Sequence, residues 1–161
     1  MFFKNLFNKK PPSDPNSIFI GLIGGVGDLA LASASVAALK KKHPDSWICF
    51  GVGAPPFYST IQNDPHISKF ETPFFYNVWK EKERKAILRD KGSEYGRVIL
   101  LDNPDREWWK EGKHLIDTYA EKCGVTLENR RPAMYLSAED EAQAEAVFRQ
   151  YNISKEDKLV V

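Results

Sequence analysis

The chain has few of the residues that build metal sites and disulfide frameworks. Its 161 residues include two cysteines and three histidines. Cys49 and Cys123 form no CxxC pair, and the histidines lie far apart in the sequence, so no local metal motif is present. We expect both thiols to fill the core of a protein in a reducing compartment, and we predict no metal and no bound cofactor.

An excess of charge of either sign is also absent. The chain has 23 Lys and Arg against 22 Asp and Glu, which gives a formal net charge of +1. The basic residues are spread among the acidic ones, so the sequence has no basic block of the kind that binds nucleic acid. We therefore expect no nucleic-acid partner.

No long hydrophobic run occurs either. The apolar residues among positions 1–8 form a stretch that is too short and too interrupted for a signal peptide or a membrane span. Two interpretations remain: a loosely held tail, which we favour, and a segment that lies on an anionic membrane surface beside Lys9 and Lys10. We treat residues 1–16 as tail and linker, and expect a cytoplasmic protein, with the inner membrane face as its one candidate surface.

The remaining sequence alternates apolar runs with helical segments. The composition, 42% hydrophobic and 28% charged, is that of one globular domain, which we place at residues 17–157. We predict strands at residues 17–22, 47–52, 67–70 and 97–101, and helices at residues 29–42, 57–62, 77–91, 113–122 and 137–151. Strands separated by helices indicate an α/β fold with a doubly wound, mainly parallel sheet, which binds ligands beyond the carboxyl ends of its strands.

Residues 158–161 read as the start of another buried strand. We interpret them as the beginning of a strand that leads into a further part of a longer protein, or as an edge strand.

A glycine-rich turn joins the first predicted strand to the first predicted helix. It contains Gly24, Gly25 and Gly27 and is followed at once by Asp28. Such a turn brings backbone N–H groups and a positive helix end against a ligand, but an ionised carboxylate there would repel a phosphate. A carboxylate that takes a proton from a hydroxyl-bearing nucleophile is the better interpretation, although Asp is also a common capping residue at helix starts.

The same turn satisfies G-x-G-x-x-A, the dinucleotide-binding pattern, from Gly25 to Ala30. That pattern requires an acidic residue at the end of the second strand, where this chain has Val52 and Gly53. A small dinucleotide-binding protein is therefore a minor alternative.

Three segments of the sequence carry recognisable motifs. They are residues 20–45, with a strand, a G-x-x-G-D turn, a helix and then Pro-Asp; residues 114–125, beginning His-Leu-Ile-Asp-Thr-Tyr; and residues 131–140, beginning Arg-Pro-Ala-Met-Tyr-Leu-Ser. Together they resemble glycosyltransferase family 9, the ADP-heptose:lipopolysaccharide heptosyltransferases. The resemblance spans roughly residues 18–161, and residues 70–113 match poorly.

This resemblance implies the N-terminal half of a two-domain GT-B architecture. In that family an N-terminal Rossmann-like domain holds the acceptor, and a C-terminal domain, which would follow Val161, holds the nucleotide diphosphate sugar. Asp28 matches the position of the catalytic base in an inverting, metal-independent transfer of a heptose-like sugar to a lipopolysaccharide-type acceptor. We expect the chain alone to be inactive because the donor site is missing.

Further residues are candidates for the acceptor site. Trp108 and Trp109 follow the fourth strand on the expected ligand side, where aromatic rings could stack on a sugar, although packing is the commoner role of Trp. His114 matches the family pattern and stands at a helix start, where it either reaches the cleft or caps the helix. Gly24, Gly25 and Gly27 are predicted to border the acceptor.

A group of basic residues could meet the phosphates of an anionic acceptor, but we favour ordinary helix-end roles for them. The group comprises Lys40, Lys41, Lys42, Arg130 and Arg131.

A second class of function also stays open, a stand-alone module that recognises a sugar or a lipid head group without transferring it.

Overall fold

The computed structural model describes residues 14–53, 55–102, 112–154 and 156–157. Within these ranges the chain forms a four-stranded, entirely parallel sheet with strand order β3-β2-β1-β4. The strands are β1 (Ser17–Leu22), β2 (Trp47–Val52), β3 (Lys69–Glu71) and β4 (Arg97–Leu100). The helices are α1 (Val26–Lys42), α2 (Pro55–Tyr58), α3 (Glu81–Gly92), α4 (Leu115–Cys123) and α5 (Ala138–Gln150).

Alternate residues of the strands face two separate apolar layers. Ile18, Ile20 and Leu22 of β1 pack with the buried side chains of α1 and with Tyr119 and Cys123 of α4. Phe19, on the opposite face of β1, packs with Phe74, Tyr95 and the partly buried side chains of α3. Helices therefore cover both faces of the sheet, which confirms the predicted doubly wound α/β class.

Gly21 and Gly51 make room for the aromatic rings of the second layer. A Cβ atom on Gly21 would lie 2.7 Å from Cε1 of Phe74, and one on Gly51 would lie 2.7 Å from Cζ of Phe19. The rings of Phe19 and Phe74 meet edge to face with centroids 5.2 Å apart. Side chains at these two strand positions would displace the ring cluster.

Both cysteines are fully buried, as predicted for core thiols. Burial raises the pKa of both thiols, in the case of Cys123 to about 12. Neutral thiols of this kind pack as small apolar side chains.

Several predicted boundaries were wrong. The first helix begins at Val26, three residues earlier than predicted, and α3 begins at Glu81 rather than at residue 77. The short second helix ends at Tyr58 rather than at residue 62, and a series of turns follows it. The third strand, β3, spans Lys69–Glu71 rather than residues 67–70. The predicted strand at residues 158–161 lies outside the described residues.

The C-terminal helix α5 has no buried residue. Ser137 caps it, since its hydroxyl accepts a hydrogen bond from the N–H of Asp140 at 3.1 Å. The Asp140 carboxylate accepts from the Ser137 hydroxyl and N–H in return, and these bonds lower the pKa of Asp140.

Candidate active site

A cavity of about 330 Å³ lies where the order of the strands reverses. The chain crosses from β1 to β2 and β3 on one side and returns to β4 on the other, so the carboxyl ends of β1 and β4 flank the point at which α/β proteins bind ligands. Leu22, the last residue of β1, and the following Ile23 border the cavity on one side, and Leu101 and Asp102, which follow β4, border it on the other. The other lining residues are Asp28, Tyr76, Asn77, Val78, Trp79, Leu115 and Tyr119.

Asp28 lies in the first turn of α1 and is half-buried in the cavity wall. Its Oδ2 accepts a hydrogen bond from the N–H of Gly25 at 2.8 Å, which is the returning half of a capping box. Its Oδ1 accepts a hydrogen bond from the hydroxyl of Tyr119 at 3.1 Å. A carboxylate has about four acceptor positions, so a hydroxyl in the cavity can still bind to Asp28.

Asp28 therefore both caps the start of α1 and borders the cavity. The carboxylate is held by a backbone amide on one side and a tyrosine on the other, and it borders a cavity of ligand size. Sequence reasoning had set these two roles against each other.

The three glycines of the turn have different environments. A Cβ atom on Gly24 would lie 2.6 Å from Oδ2 of Asp28, whereas one on Gly25 or Gly27 would meet nothing within 4 Å. Because Gly24 has no side chain, the Asp28 carboxylate has room to reach the backbone N–H of Gly25. None of the three glycines is among the described residues that line the cavity, and their contact with an acceptor stays a prediction.

Tyr119 comes from α4, which packs directly against α1. Burial raises the pKa of its hydroxyl, and the adjacent charge of Asp28 and the hydrogen bond to it raise the pKa further. The phenol is therefore protonated at neutral pH and is a permanent donor to Asp28.

Asp102 is a second, buried carboxylate in the cavity wall, directly beyond β4. Its Oδ2 accepts from the hydroxyl of Tyr76 at 2.8 Å and from Nε of Arg84 at 2.9 Å. Lys122 donates to its backbone carbonyl, and the ammonium lies 4.0 Å from Oδ1. Oδ1 itself has no hydrogen-bond partner in the described part of the chain.

The Asp102 network fixes one wall of the cavity. It joins the end of β4 to Tyr76, in the segment that follows β3, and to Arg84 in α3. Burial raises the pKa of the Tyr76 hydroxyl, and the charge and hydrogen bond of Asp102 act in the same direction. Tyr76 therefore stays protonated and keeps its hydrogen bond at neutral pH.

The tryptophan that the structure places in the cavity wall is Trp79, a residue that is 61% exposed. Trp108 and Trp109, the predicted stacking residues, lie outside the described residues. His114 is exposed and caps α4, since its Nδ1 accepts a hydrogen bond from the N–H of Ile116 at 3.2 Å. It is not one of the described lining residues, so its contact with an acceptor stays a prediction.

Sequence reasoning missed four residues of the cavity wall: Asp102, Tyr119, Tyr76 and Trp79. Asp102 follows a predicted strand directly, so its place at the carboxyl edge was a usable signal. Tyr119 ends the His-Leu-Ile-Asp-Thr-Tyr segment that carried the family resemblance. Tyr76 and Trp79 fall in the segment that matched poorly, and no sequence pattern marked them.

Four of the five residues of the basic cluster make side-chain contacts within the chain. Lys40 and Lys42 donate to the carbonyls of Ser46 and Gly124, and Lys41 pairs with Glu128 at 2.7 Å. Arg130 pairs with Asp117. Lys41, Lys42 and Arg131 border a separate groove along α1, and no member of the cluster is a described lining residue of the Asp28 cavity.

Two kinds of feature are absent from the described ranges. No three His, Cys, Asp or Glu side chains there come together as a metal-binding group. Of the helices described, none is both long and apolar enough to cross a bilayer.

Comparison with known proteins gives one structural match and no match to a protein-family model. The chain matches no protein-family model. Its fold is similar to the crystal structure of a glycosyl transferase family 9 protein from Veillonella parvula DSM 2008, with a TM-score of 0.62 and 17% sequence identity. The match covers 89% of this chain and 52% of that one, so the chain spans about half the length of the protein it resembles. This similarity confirms the predicted Rossmann-like α/β fold.

Proposed function

We propose that this chain is the acceptor-binding half of an inverting glycosyltransferase. The observation that carries the proposal is the position of Asp28, a carboxylate held at the start of the first crossover helix and bordering a cavity at the switch point of the sheet. The chain also has the fold of about half of a family 9 glycosyl transferase structure. The resemblance of residues 20–45 to the same family is an independent reason for this choice.

Asp28 is the general base of the proposed reaction. It accepts the proton of the acceptor hydroxyl as that oxygen forms a bond to the anomeric carbon of the donor sugar. The bond from the anomeric carbon to the diphosphate breaks on the opposite face, and the nucleoside diphosphate leaves with its electron pair. Attack from the face opposite the leaving group inverts the anomeric configuration.

The two hydrogen bonds of Asp28 suit this role. They fix the carboxylate so that little reorganisation is needed when the hydroxyl arrives. The anomeric carbon gains positive charge in an oxocarbenium-like transition state, and the nearby negative charge of Asp28 stabilises it.

The donor side is assigned to a second domain that follows Val161, and this chain alone is expected to be inactive. The proposed substrates are a nucleotide diphosphate heptose or a related donor, and a lipopolysaccharide-type acceptor. The proposed location is the cytoplasm, at the inner membrane face if residues 1–10 contact lipid. These assignments come from the family resemblance.

Two measurements test the proposal. The nucleotide sequence after the Val161 codon should encode a second α/β unit, and a stop codon there would favour the stand-alone binding module instead. The complete product should release nucleoside diphosphate from an ADP-heptose donor when a lipopolysaccharide acceptor is present, and residues 1–161 alone should not. Release by neither protein would contradict the proposed substrates.

A further inference from the structure

A second and wider cavity, the groove along α1, lies beside the C-terminal half of that helix. Its volume is about 890 Å³, against about 330 Å³ for the Asp28 cavity, and the two cavities have no described lining residue in common. Ala37 borders the groove and follows Asp28 by nine residues, which places it about 14 Å further along the helix axis. The groove is therefore a separate space from the candidate active site.

The floor of the groove belongs to α1 and is apolar over most of its length. Ala34, Ala37 and Ala38 border it, and their spacing of three and four residues places them on one face of the helix. Lys41 and Lys42 continue this face by one more turn. The three methyl groups therefore give the groove a hydrocarbon floor, which ends at two lysines.

The opposite wall, residues 124–133, is attached to α1 at both of its ends. At one end Nζ of Lys42 donates a hydrogen bond to the carbonyl of Gly124 at 2.7 Å, and at the other the N–H of Ala133 donates to Oγ of Ser33 at 2.9 Å. Between these two attachments the helix and the wall border the groove from opposite sides. The groove is therefore a preformed space, as small-molecule sites usually are.

The charged residues that border the groove are mainly basic. They are Lys41, Lys42 and Arg131, and Glu128 is the acidic residue among the described lining residues. Lys41 pairs with Glu128 at 2.7 Å, and Lys42 is bound to a backbone carbonyl. Arg131 is exposed, and within the described part of the chain its guanidinium makes no hydrogen bond and no ion pair. One cation at the groove is therefore available to a ligand.

His66 adds a polar group of fixed orientation to the same groove. Its Nδ1 donates a hydrogen bond to Oδ1 of Asp64 at 2.8 Å, and the Asp64 side chain is only 1% exposed. The ring of Tyr135 meets the imidazole edge to face, with ring centroids 5.8 Å apart. Because Nδ1 is bound to the carboxylate, Nε2 is the ring nitrogen that is left for a ligand.

We infer that the groove along α1 binds a small amphiphile, a molecule with one phosphate or carboxylate group on a hydrocarbon body. The anionic group contacts Arg131, because a guanidinium forms paired, charge-assisted hydrogen bonds with phosphate and carboxylate oxygens. The hydrocarbon lies on the alanine floor, where removal of its apolar surface from water adds affinity. This site goes beyond the proposed glycosyl transfer, since none of its described lining residues borders the Asp28 cavity.

The charges of the groove favour a single free molecule over a bilayer surface. Membrane binding through charge requires several unpaired Lys or Arg side chains close together. Lys41 and Lys42 already have partners within the chain, which leaves the guanidinium of Arg131. One available cation matches one anionic group, and a recessed apolar floor matches one hydrocarbon body.

Three soluble probes test the inference on the 161-residue chain: hexyl phosphate, 1-hexanol and inorganic phosphate. Amide NMR shifts during titration at neutral pH give both the affinity and the place of binding. We expect hexyl phosphate to shift the amides of Ala37, Ala38, Leu127 and Arg131. Each of the other two probes should bind roughly tenfold or more weakly, because each provides only the hydrocarbon or only the anion.

Two adjacent arginines provide a matched pair of variants. Arg131→Gln should weaken hexyl phosphate binding about fivefold to tenfold and leave hexanol binding unchanged, because it removes only the cation. Arg130→Gln should change neither, since Arg130 pairs with Asp117 and is not a described lining residue of the groove.

A larger side chain on the floor gives a second, independent test. Ala38→Leu places extra volume inside the groove and should weaken hexyl phosphate binding about tenfold or more. Ala142→Leu makes the same change at an exposed position of α5, away from the groove, and should have no effect. Leu is a good helix former, so both variants should fold, and circular dichroism checks this.

Three results would overturn the inference: hexyl phosphate that binds no more tightly than hexanol or inorganic phosphate, shifts confined to the residues of the Asp28 cavity, or equal losses in the two arginine variants. Binding to vesicles of phosphatidylcholine and phosphatidic acid without binding of hexyl phosphate would also overturn it, because that result indicates a bilayer surface. All of these results leave the proposed glycosyl transfer intact. Failure of the transfer is detected separately, by the nucleoside diphosphate assay on the complete product.

Discussion

At the residue scale, one carboxylate links the local fold to the proposed chemistry. Asp28 accepts hydrogen bonds from the Gly25 amide and the Tyr119 hydroxyl, and both bonds hold it against the cavity. A helix cap is usually a local device, but here the second bond comes from a residue 91 positions away in the sequence. The position of the proposed base therefore depends on the packing of α4 against α1.

Replacing Tyr119 by Phe tests this long-range hydrogen bond. Phe keeps the ring in the core and removes only the donor to Asp28, so the free energy of unfolding should fall by about 1 kcal/mol. Urea denaturation at neutral pH measures the change. Asp28→Asn combined with Tyr119→Phe should cost less than the two single changes added together, because the first change already weakens the bond. Strict additivity would show that the two side chains do not interact.

At the element scale, the turn between β1 and α1 shows what the sequence could and could not predict. The bounds of β1 and β2 were predicted correctly because both are short apolar runs flanked by polar residues and glycines. The start of α1 was wrong because Gly27 was read as part of the turn, whereas the structure places it inside the helix. Packing of α1 on the sheet outweighs the low helix propensity of one glycine.

The residues of the candidate site were likewise predicted only in part. Asp28 was identified from its place after a strand and a glycine turn, which is local information. Tyr76, Trp79 and Asp102 come together only through the strand order and the contacts of Arg84 and Tyr76 with Asp102. Such convergence depends on long-range packing, which no local pattern records.

Two glycines of this turn should respond oppositely to substitution by alanine. Gly24→Ala places a Cβ atom 2.6 Å from Oδ2 and 2.7 Å from Cβ of Asp28, so Asp28 must move and stability should fall by about 1–3 kcal/mol. Gly27→Ala adds an unobstructed methyl group inside α1 and should raise stability by about 0.5 kcal/mol. Thermal and urea unfolding of both variants measure these effects. Equal effects of the two substitutions would refute the role given to Gly24.

At the scale of the whole molecule, the described residues form a four-stranded parallel sheet. The sheet has helices on both faces, and the Asp28 cavity lies at its switch point. The fold is similar to about half of a family 9 glycosyl transferase structure. In the enzyme that we propose, the carboxyl edge of the sheet faces the donor domain, and closure of the two halves excludes water from the reacting sugar.

The measurement that tests the central claim most directly is sugar transfer by the complete enzyme carrying Asp28→Asn. Asn keeps the shape of the side chain and an acceptor for the Gly25 amide, but it cannot take a proton at neutral pH. Asp117→Asn is the matched control, because Asp117 pairs with Arg130 and is not a described lining residue of the cavity. We predict that Asp28→Asn lowers kcat by about 10²- to 10⁴-fold while Asp117→Asn changes it less than threefold. An Asp28→Asn enzyme that retained its full transfer rate would contradict the assignment of Asp28 as the base.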